Sequence, residues 1–176
     1  LKKNGVQVFA GIIGSPNNLA VRDTLNEECI PQLANLTGLP AWGDDVANYP
    51  WTTGEMAPYT VESRVYMQAL KDLHPDGAKI ALFYVNTDFG QSYADTIKAE
   101  AADFGLEIVA EETIEGTDTA PPAGQLTTIA AAKPDAIIAV PLGIGCVTFL
   151  GALADKKAQT AGWVPDTFVT NTCASS

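Results

Sequence analysis

Short apolar runs alternate with helix-like segments along most of this chain, and this alternation limits the folds that it can adopt. We predict strands at Val6–Ala10, Ile30–Leu33, Lys79–Val85, Leu106–Ile114, Asp135–Pro141 and Thr167–Thr170. Repeated strand–helix–strand units produce parallel sheets with helices on both faces, connected by right-handed crossovers. The chain is therefore predicted to be an α/β protein.

Three segments between these strands carry apolar residues three or four positions apart, which is the spacing of an amphipathic helix. Each stripe is expected to pack against a sheet rather than to bind a cofactor. The stripes are Val61, Val65, Ala69, Leu70 and Leu73; Tyr93, Ile97, Ala101 and Phe104; and Val147, Leu150 and Ala154. The first stripe belongs to a predicted helix at Tyr59–Leu73, and Gly105 is expected to end the second helix in the left-handed conformation.

The composition and net charge of the chain exclude some classes of function. The 176 residues are 47% hydrophobic, which is enough for a packed core, and the formal net charge is −11. This charge disfavours nucleic acid and anionic membrane surfaces as partners. No apolar run approaches the ~18–20 residues that a membrane-spanning helix requires, and Leu1 does not begin a signal peptide. We expect a globular protein without direct membrane insertion.

The segment VFAGIIGSPNN, from Val8 to Asn18, is the first candidate for a binding loop. An apolar run enters a glycine-rich bend and then a helix, with Ser15 expected as the N-cap and Pro16 as the first helical residue. The backbone N–H groups of Asn17 and Asn18 would then point out of a positive helix end, where a carboxylate can bind. The alternative for Ser15 is a capping role alone.

Two further segments, QLANLTG (Gln32–Gly38) and PWTTGEMAPYTVESR (Pro50–Arg64), make a family resemblance specific. With the first loop, they resemble the solute-binding proteins of ABC transporters of the branched-chain amino acid type. That family has the type I periplasmic-binding fold, two Rossmann-like lobes with parallel sheets covered by helices. The resemblance implies that residues 1–57 belong to lobe one, 58–169 to a nearly complete lobe two, and 170–176 to a second hinge crossing.

The resemblance also implies that this chain is the middle part of a longer protein with lobe one incomplete, since family members are about twice as long. In such a protein the ligand binds in the interlobe cleft, at loops that follow the carboxyl ends of the strands. The implied ligand-binding residues are Ser15, Pro16, Asn17, Thr37, Gly38, Phe89, Gly143, Ile144 and Asn171.

Some of these assignments have structural alternatives of equal weight. Phe89 is expected either to pack on the ligand or to belong to the core, and Trp42 either to contact ligand or to pack beneath a surface loop. Asp88 is expected to cap its helix, with Gln91 completing a capping box. Amino-acid binders of the family often place an acidic residue near Asn171. Its absence here keeps aromatic carboxylates and amides open as ligands beside small amino acids.

The three cysteines form no CxxC pair, so a zinc site is not expected. Cys146 and Cys173 follow successive strands that would be neighbours in a parallel sheet, and they are the candidate disulfide. Cys29 either pairs outside this segment or is buried.

An alternative function comes from the same cysteines. GIGCVT and TNTC are similar to loops of cofactor-independent amino-acid racemases, in which two cysteines act as acid and base. The order Asn171-Thr172-Cys173 departs from the racemase arrangement, because those enzymes place the cysteine before the Asn-Thr pair.

No nucleotide-binding glycine motif is present, and His74 is the single histidine.

The sequence thus favours the extracytoplasmic solute-binding component of an ABC importer. Its expected partners are a small-molecule ligand and a membrane permease. We expect no catalytic residue, cofactor, metal or nucleic-acid partner. A periplasmic or extracytoplasmic location follows from the resemblance, with a lipid anchor on a longer chain as one option. A ligand-sensing domain of the same fold is the second alternative.

Overall fold

The computed structural model describes residues 2–159, 167–170 and 173. They form two compact units, Leu1–Glu62 and Ser63–Ser176, each built from parallel strands and helices. The predicted α/β class is confirmed. The division into units falls inside a helix, whereas the expected lobe boundary after residue 57 remains a prediction.

The first unit has a three-stranded parallel sheet in the order β1-β2-β3. Its elements are β1 (Phe9–Ala10), α1 (Ser15–Glu27), β2 (Gln32–Asn35), α2 (Ala41–Asp44) and β3 (Thr52–Gly54), after a short 3-10 helix at Lys2–Asn4. The strand predicted at Val6–Ala10 is thus shorter than expected. The strand predicted at Ile30–Leu33 begins two residues later, and β3 lies where the sequence indicated only a connecting segment.

A break in the pairing of β2 with β3 shapes the end of this sheet. Gln32 pairs with Thr52 and Asn35 with Gly54, and the register shifts between these two pairs. Ala34 has a φ of 51°, which is unusual for a residue other than glycine. The irregularity turns both Gln32 and Asn35 towards the interior, where each side chain is at most 1% exposed.

The second unit contains a four-stranded parallel sheet in the order β5-β4-β6-β7. Its elements are α3 (Tyr59–Leu73, which begins in the first unit), β4 (Ala78–Val85), α4 (Asp88–Glu100), a 3-10 helix (Ala101–Phe104), β5 (Leu106–Ile114), α5 (Ala123–Ala132), β6 (Ala136–Val140), α6 (Ile144–Gln159) and β7 (Thr167–Thr170). These strands agree with the predicted ones to within a residue at each end. Gly105 has a φ of 73° and ends the 3-10 helix in the predicted left-handed conformation.

The core of this unit lies on the two central strands. All residues of β6 are buried, as are all residues of β4 except Lys79. This pattern is typical of a parallel strand that is covered on both faces. Phe83 of β4 stacks on Phe149 of α6, with ring centroids 4.5 Å apart. Burial of such aromatic rings is a large contribution to the stability of the unit.

Two of the three predicted apolar stripes are wrong. On α3 the buried residues are Tyr59, Ser63, Met67 and Leu70, whereas Val61, Val65, Ala69 and Leu73 are exposed. On α6 the buried face contains Gly145, Cys146, Phe149 and Leu153, and Val147 is 56% exposed. Both helices carry apolar residues on more than one face, so helical spacing alone does not identify the face that packs. The stripe of α4 is correct, because Tyr93, Ile97 and Ala101 are buried and Phe104 is half-buried.

A small polar network fixes α4 against the sheet. The Tyr84 hydroxyl donates to Glu111 Oε1 at 2.6 Å, and Lys98 Nζ of α4 lies 3.0 Å from the same oxygen. Burial, followed by the hydrogen bond to Glu111, raises the pKa of Tyr84 to about 12. The hydrogen bond from Tyr84 also lowers the pKa of Glu111. The phenol and the carboxylate therefore keep their respective hydrogen-bonding roles across the neutral range.

In the part of the chain that the structure describes, no helix has both the length and the apolar character needed to span a bilayer.

Close packing of α4 on β4 depends on Gly90. A Cβ atom at this position would overlap the carbonyl oxygen of Val85 and lie 3.0 Å from the Tyr84 ring. We expect Gly90→Ala to lower the free energy of unfolding by about 1–3 kcal/mol. Gly151→Ala is the matched control, because the helical Gly151 has no atom within 4 Å of its Cβ position. Gly151→Ala should raise stability by about 0.5–1 kcal/mol. Urea unfolding of both variants measures this, and equal effects would contradict the packing described.

Candidate functional site

The loops after β1 and β2 lie side by side beyond the strands themselves. Gly11 N–H donates to Leu33 O at 3.0 Å, Leu36 N–H donates to Ile12 O at 3.0 Å, and Ile13 forms a parallel bridge with Leu36. Because the strands are parallel, both loops leave the same edge of the sheet. This edge brings together the two predicted binding segments of the first unit.

The start of α1 differs from the sequence prediction. Gly14, with a φ of 92°, is the N-cap, so Ser15 is the first helical residue and Pro16 the second. The Ser15 side chain makes no capping bond, because its hydroxyl faces Thr37 instead. The N–H of Asn18 donates to Gly14 O at 3.1 Å and is not available to a ligand. Of the two N–H groups that were expected to be free, that of Asn17 alone has no acceptor among the described residues.

Asn18 fixes the first loop from beneath. Its side chain is fully buried, and Nδ2 donates to Ile12 O at 2.8 Å and to Gly14 O at 2.9 Å. Gln32 Nε2 of β2 donates in turn to Asn18 Oδ1 at 2.8 Å. A buried amide that is satisfied in this way holds the loop in one conformation, since breaking the bonds would leave polar groups buried and unpaired.

Three buried hydroxyl groups meet at the same edge, and we call Ser15, Thr37 and Tyr59 the hydroxyl chain. Ser15 Oγ lies 2.6 Å from Thr37 Oγ1, and the Tyr59 hydroxyl donates to Thr37 Oγ1 at 3.3 Å. Each of the three residues is at most 4% exposed. The sequence predicted Ser15 and Thr37 as ligand residues but not Tyr59. Tyr59 lies directly after Pro58 at the start of a predicted helix, within the segment Pro50–Arg64 that carries the family resemblance.

Gly38 has a packing role in this arrangement. A Cβ atom there would overlap Ala57 O and lie 2.7 Å from the Tyr59 ring. The Gly38 carbonyl also accepts a hydrogen bond from Tyr59 N–H at 2.7 Å. The glycine is therefore required for the close approach of Tyr59, whether or not it also contacts a ligand.

Trp42, for which ligand contact and packing were both considered, is 6% exposed and packs. Its side chain covers Gly54 of β3, and the Arg22 guanidinium carbon lies 5.4 Å from its ring centroid. Arg22 also lies 3.5 Å from the Tyr49 ring centroid and donates through Nη2 to Ala41 O at 2.7 Å. These contacts attach α2 to α1 through a buried cation–π cluster.

In the second unit, the loop before α4 also corrects a prediction. Thr87 is the N-cap, and Asp88 is the first helical residue without a capping bond from its side chain. Gln91 donates to Asn86 Oδ1 at 2.8 Å, so the expected capping box is absent. Phe89 is 5% exposed and packs edge-on against Tyr93, with centroids 5.5 Å apart. The core alternative therefore describes Phe89 in this structure.

The loop between β6 and α6 is open by comparison. Gly143 has a φ of 56° with free space around its Cβ position, and Leu142 and Ile144 are each 50% exposed. The N–H groups of Gly145 and Cys146 donate to Leu142 O and Gly143 O, which closes the first turn of α6. Exposed apolar residues beside an accessible glycine backbone are available to contact a small molecule.

A disulfide joins Cys146 to Cys173 in the structure, with the Cα atoms 5.3 Å apart. It links the start of α6 to the segment after β7. Cys29 is a free, exposed thiol in this segment, so the expected burial is wrong, and its pairing with a cysteine outside the segment remains a prediction. Asn171, the remaining predicted ligand residue, lies outside the described residues, as does Thr172. Within ranges 2–159 and 167–170 and at residue 173, no three His, Cys, Asp or Glu side chains form a candidate metal site.

Residues 1–169 match the family of periplasmic binding proteins. The chain belongs to this family. No curated protein sequence matches this periplasmic binding protein significantly.

Solved structures with the same fold are found in bacteria. An extracellular ligand-binding receptor from Rhodopseudomonas palustris HaA2 has a TM-score of 0.81 and 19% identity, over 95% of this chain and 44% of that one. A solute-binding protein of an ABC transporter from the same strain, in complex with p-hydroxybenzoic acid, has a TM-score of 0.77 and 20% identity over 96% and 44%. A structure assigned to a branched-chain amino acid ABC transporter from Silicibacter pomeroyi has a TM-score of 0.71 and 15% identity over 99% and 45%. This periplasmic binding protein thus spans less than half the length of the structures it resembles.

The disulfide predicts a thiol count and a stability change. Cys29 alone should react with Ellman's reagent in the native oxidised protein, and all three cysteines should react after reduction and unfolding. Reduction should lower the free energy of unfolding by about 3–4 kcal/mol, because the bond closes a loop with a sequence separation of 27.

Cys29→Ser is the matched control, and reduction should destabilise it by the same amount. Three reactive thiols in the native protein under non-reducing conditions would contradict the pairing.

Proposed function

We propose that this periplasmic binding protein is the solute-binding component of an ABC importer. In this role the protein lies outside the cytoplasm and binds a small carboxylate at the loops that follow the carboxyl ends of its strands. It then delivers the carboxylate to a membrane permease. One observation carries the proposal: Ser15, Thr37 and the free N–H of Asn17 lie at the common edge where the loops after β1 and β2 meet.

The chemistry of this edge suits a carboxylate. The start of α1 carries the positive end of the helix dipole, and the N–H of Asn17 in its first turn has no acceptor among the residues described. Pro16 and Asn17 are exposed there, while Ser15 and Thr37 supply hydroxyl groups from the buried side. No basic side chain lies in the first turn of the helix, so hydrogen bonds from backbone N–H and hydroxyl groups would stabilise the anion.

We also propose Gly143 and Ile144, at the start of α6, as ligand residues of the second unit, with Gly38, Phe89 and Asn171 as further candidates. An exposed apolar side chain next to a glycine with free space can cover the apolar part of a ligand. Because Phe89 is buried, it would not touch the ligand directly but would pack beneath the residues that do. The sequence around Asn171, from Thr167 to Ser176, contains no acidic residue that could bind an ammonium group.

This combination favours aromatic or aliphatic carboxylates over α-amino acids. The related structure with p-hydroxybenzoic acid is consistent with that ligand class, although similarity at 20% identity carries the fold only. The role proposed here includes no chemical conversion. The disulfide between Cys146 and Cys173 also removes both thiols that a racemase of the Cys/Cys type would use for proton transfer.

The experiment is a binding screen on the protein expressed from its complete reading frame. We expect benzoate, 4-hydroxybenzoate or a branched aliphatic acid to raise the melting temperature and to bind in calorimetry with a 1:1 ratio. Ser15→Ala should weaken the binding of that acid about tenfold to 150-fold, because one hydrogen bond to a charged group is lost.

Thr24→Ala, an exposed change on the same helix, should leave the affinity unchanged and serves as the control. If none of the acids, their amides or the branched-chain amino acids binds, the proposed function is wrong.

A further inference from the structure

We propose that Tyr59 is a positioning residue for the ligand site: its phenol sets the direction of the hydroxyl chain, so that Ser15 presents its hydrogen to an acceptor atom of the ligand. This inference rests on the proposed function. It adds a residue that touches no ligand and acts through Thr37.

Burial makes the direction of this chain important. Thr37 is fully buried, Ser15 is 1% exposed and Tyr59 is 4% exposed, so bulk water does not replace a missing partner. A buried hydroxyl that is left unpaired costs about 1–3 kcal/mol, so a ligand atom that accepts the remaining hydrogen of the chain gains affinity.

The proposed arrangement gives each hydroxyl of the chain one hydrogen to donate. Tyr59 donates its single hydroxyl hydrogen to Thr37 Oγ1 at 3.3 Å. A phenol is more acidic than an aliphatic hydroxyl and is the better donor of the two. Either hydroxyl of the Ser15–Thr37 pair, whose oxygens are 2.6 Å apart, can supply the hydrogen, and in the proposed arrangement Thr37 donates to Ser15 Oγ. The Ser15 hydrogen has no acceptor among the described residues, and the proposed ligand is the group that can accept it.

The backbone keeps Tyr59 in place independently of its hydroxyl. Its N–H donates to Gly38 O at 2.7 Å, and its ring packs against the Cα of Gly38 so closely that no Cβ fits there. Tyr59→Phe therefore removes the phenol hydrogen bond while retaining both of these contacts. The substitution therefore tests the direction of the hydrogen bonds in the hydroxyl chain without changing the packing at the start of α3.

The direction of the hydroxyl chain predicts which ligand groups the Ser15 hydroxyl binds. A Ser15 hydroxyl that is already accepting from Thr37 acts as a donor, so it favours a carboxylate or carbonyl oxygen and disfavours an ammonium group. Without the Tyr59 phenol, Thr37 loses the hydrogen bond that it accepts from α3. The two remaining hydroxyls can then reverse, with Ser15 donating to Thr37 and no hydrogen left for the ligand.

The test is a double-mutant cycle on the protein from its complete reading frame. Calorimetry uses whichever of benzoate, 4-hydroxybenzoate or 4-methylpentanoate binds the wild type. We expect Tyr59→Phe to weaken binding about fivefold to tenfold, with little change in the melting temperature of the unliganded protein. In a Thr37→Val background, Tyr59→Phe should change the affinity less than twofold, because the chain is already interrupted.

Two controls separate this role from a structural one. Thr37→Ser keeps a hydroxyl, so Tyr59→Phe should regain its fivefold to tenfold effect in that background. Tyr66→Phe removes another phenol from α3 and should leave the affinity unchanged.

An unchanged affinity in Tyr59→Phe, or an equal loss in the Thr37→Val background, would overturn the positioning role while the proposed function stands. A wild-type protein that binds none of the three acids, their amides or the branched-chain amino acids would contradict the proposed function itself, and the positioning role with it.

Discussion

The parallel pairing of β1 with β2 is the constraint on which the proposed site depends. Phe9 pairs with Gln32 and Ala10 with Leu33, and the bridge from Ile13 to Leu36 continues the same register beyond both strands. The two loops therefore leave the same edge of the sheet at the same position along the strand direction. Ser15 and Thr37, 22 positions apart in sequence, meet at 2.6 Å because of this register.

The interiors of the two units differ in a way that matters for binding. The second unit buries the apolar strands β4 and β6, whereas the first unit buries Asn18, Arg22 and Gln32 beside its small sheet. Polar groups in an interior need partners with defined geometry, and apolar groups do not. The bonds of Asn18 to Ile12 O, to Gly14 O and to Gln32 thus fix one loop conformation, and a fixed loop loses little entropy when a ligand binds.

The sequence predicted the second unit better than the first for a physical reason. Long apolar strands such as Ala78–Val85 are determined by local composition, and the structure has this strand within one residue of its predicted position. Strand β3 (Thr52–Gly54) was not predicted, because three residues that include a glycine give no periodic signal and pair only through their neighbour β2. The buried faces of α3 and α6 were wrong because each helix offers two apolar faces, and the sheet decides between them.

The details of the site were hidden for a related reason. Ser15 has the residue type and position of an N-cap, and local rules assign it that role. Its hydroxyl bonds instead to Thr37, a contact that depends on strand register and that no local pattern encodes. The same holds for Tyr59, whose place in the hydroxyl chain depends on its tertiary contact with Thr37.

The central claim is that the edge formed by Ser15, Asn17 and Thr37 binds a carboxylate. A crystal structure of the protein from its complete reading frame, grown with an acid that binds it in solution, tests this most directly. The account predicts one carboxylate oxygen about 2.5–3.0 Å from Ser15 Oγ and within hydrogen-bonding distance of the Asn17 N–H. An acid bound in the crystal with its carboxylate away from both groups would contradict it.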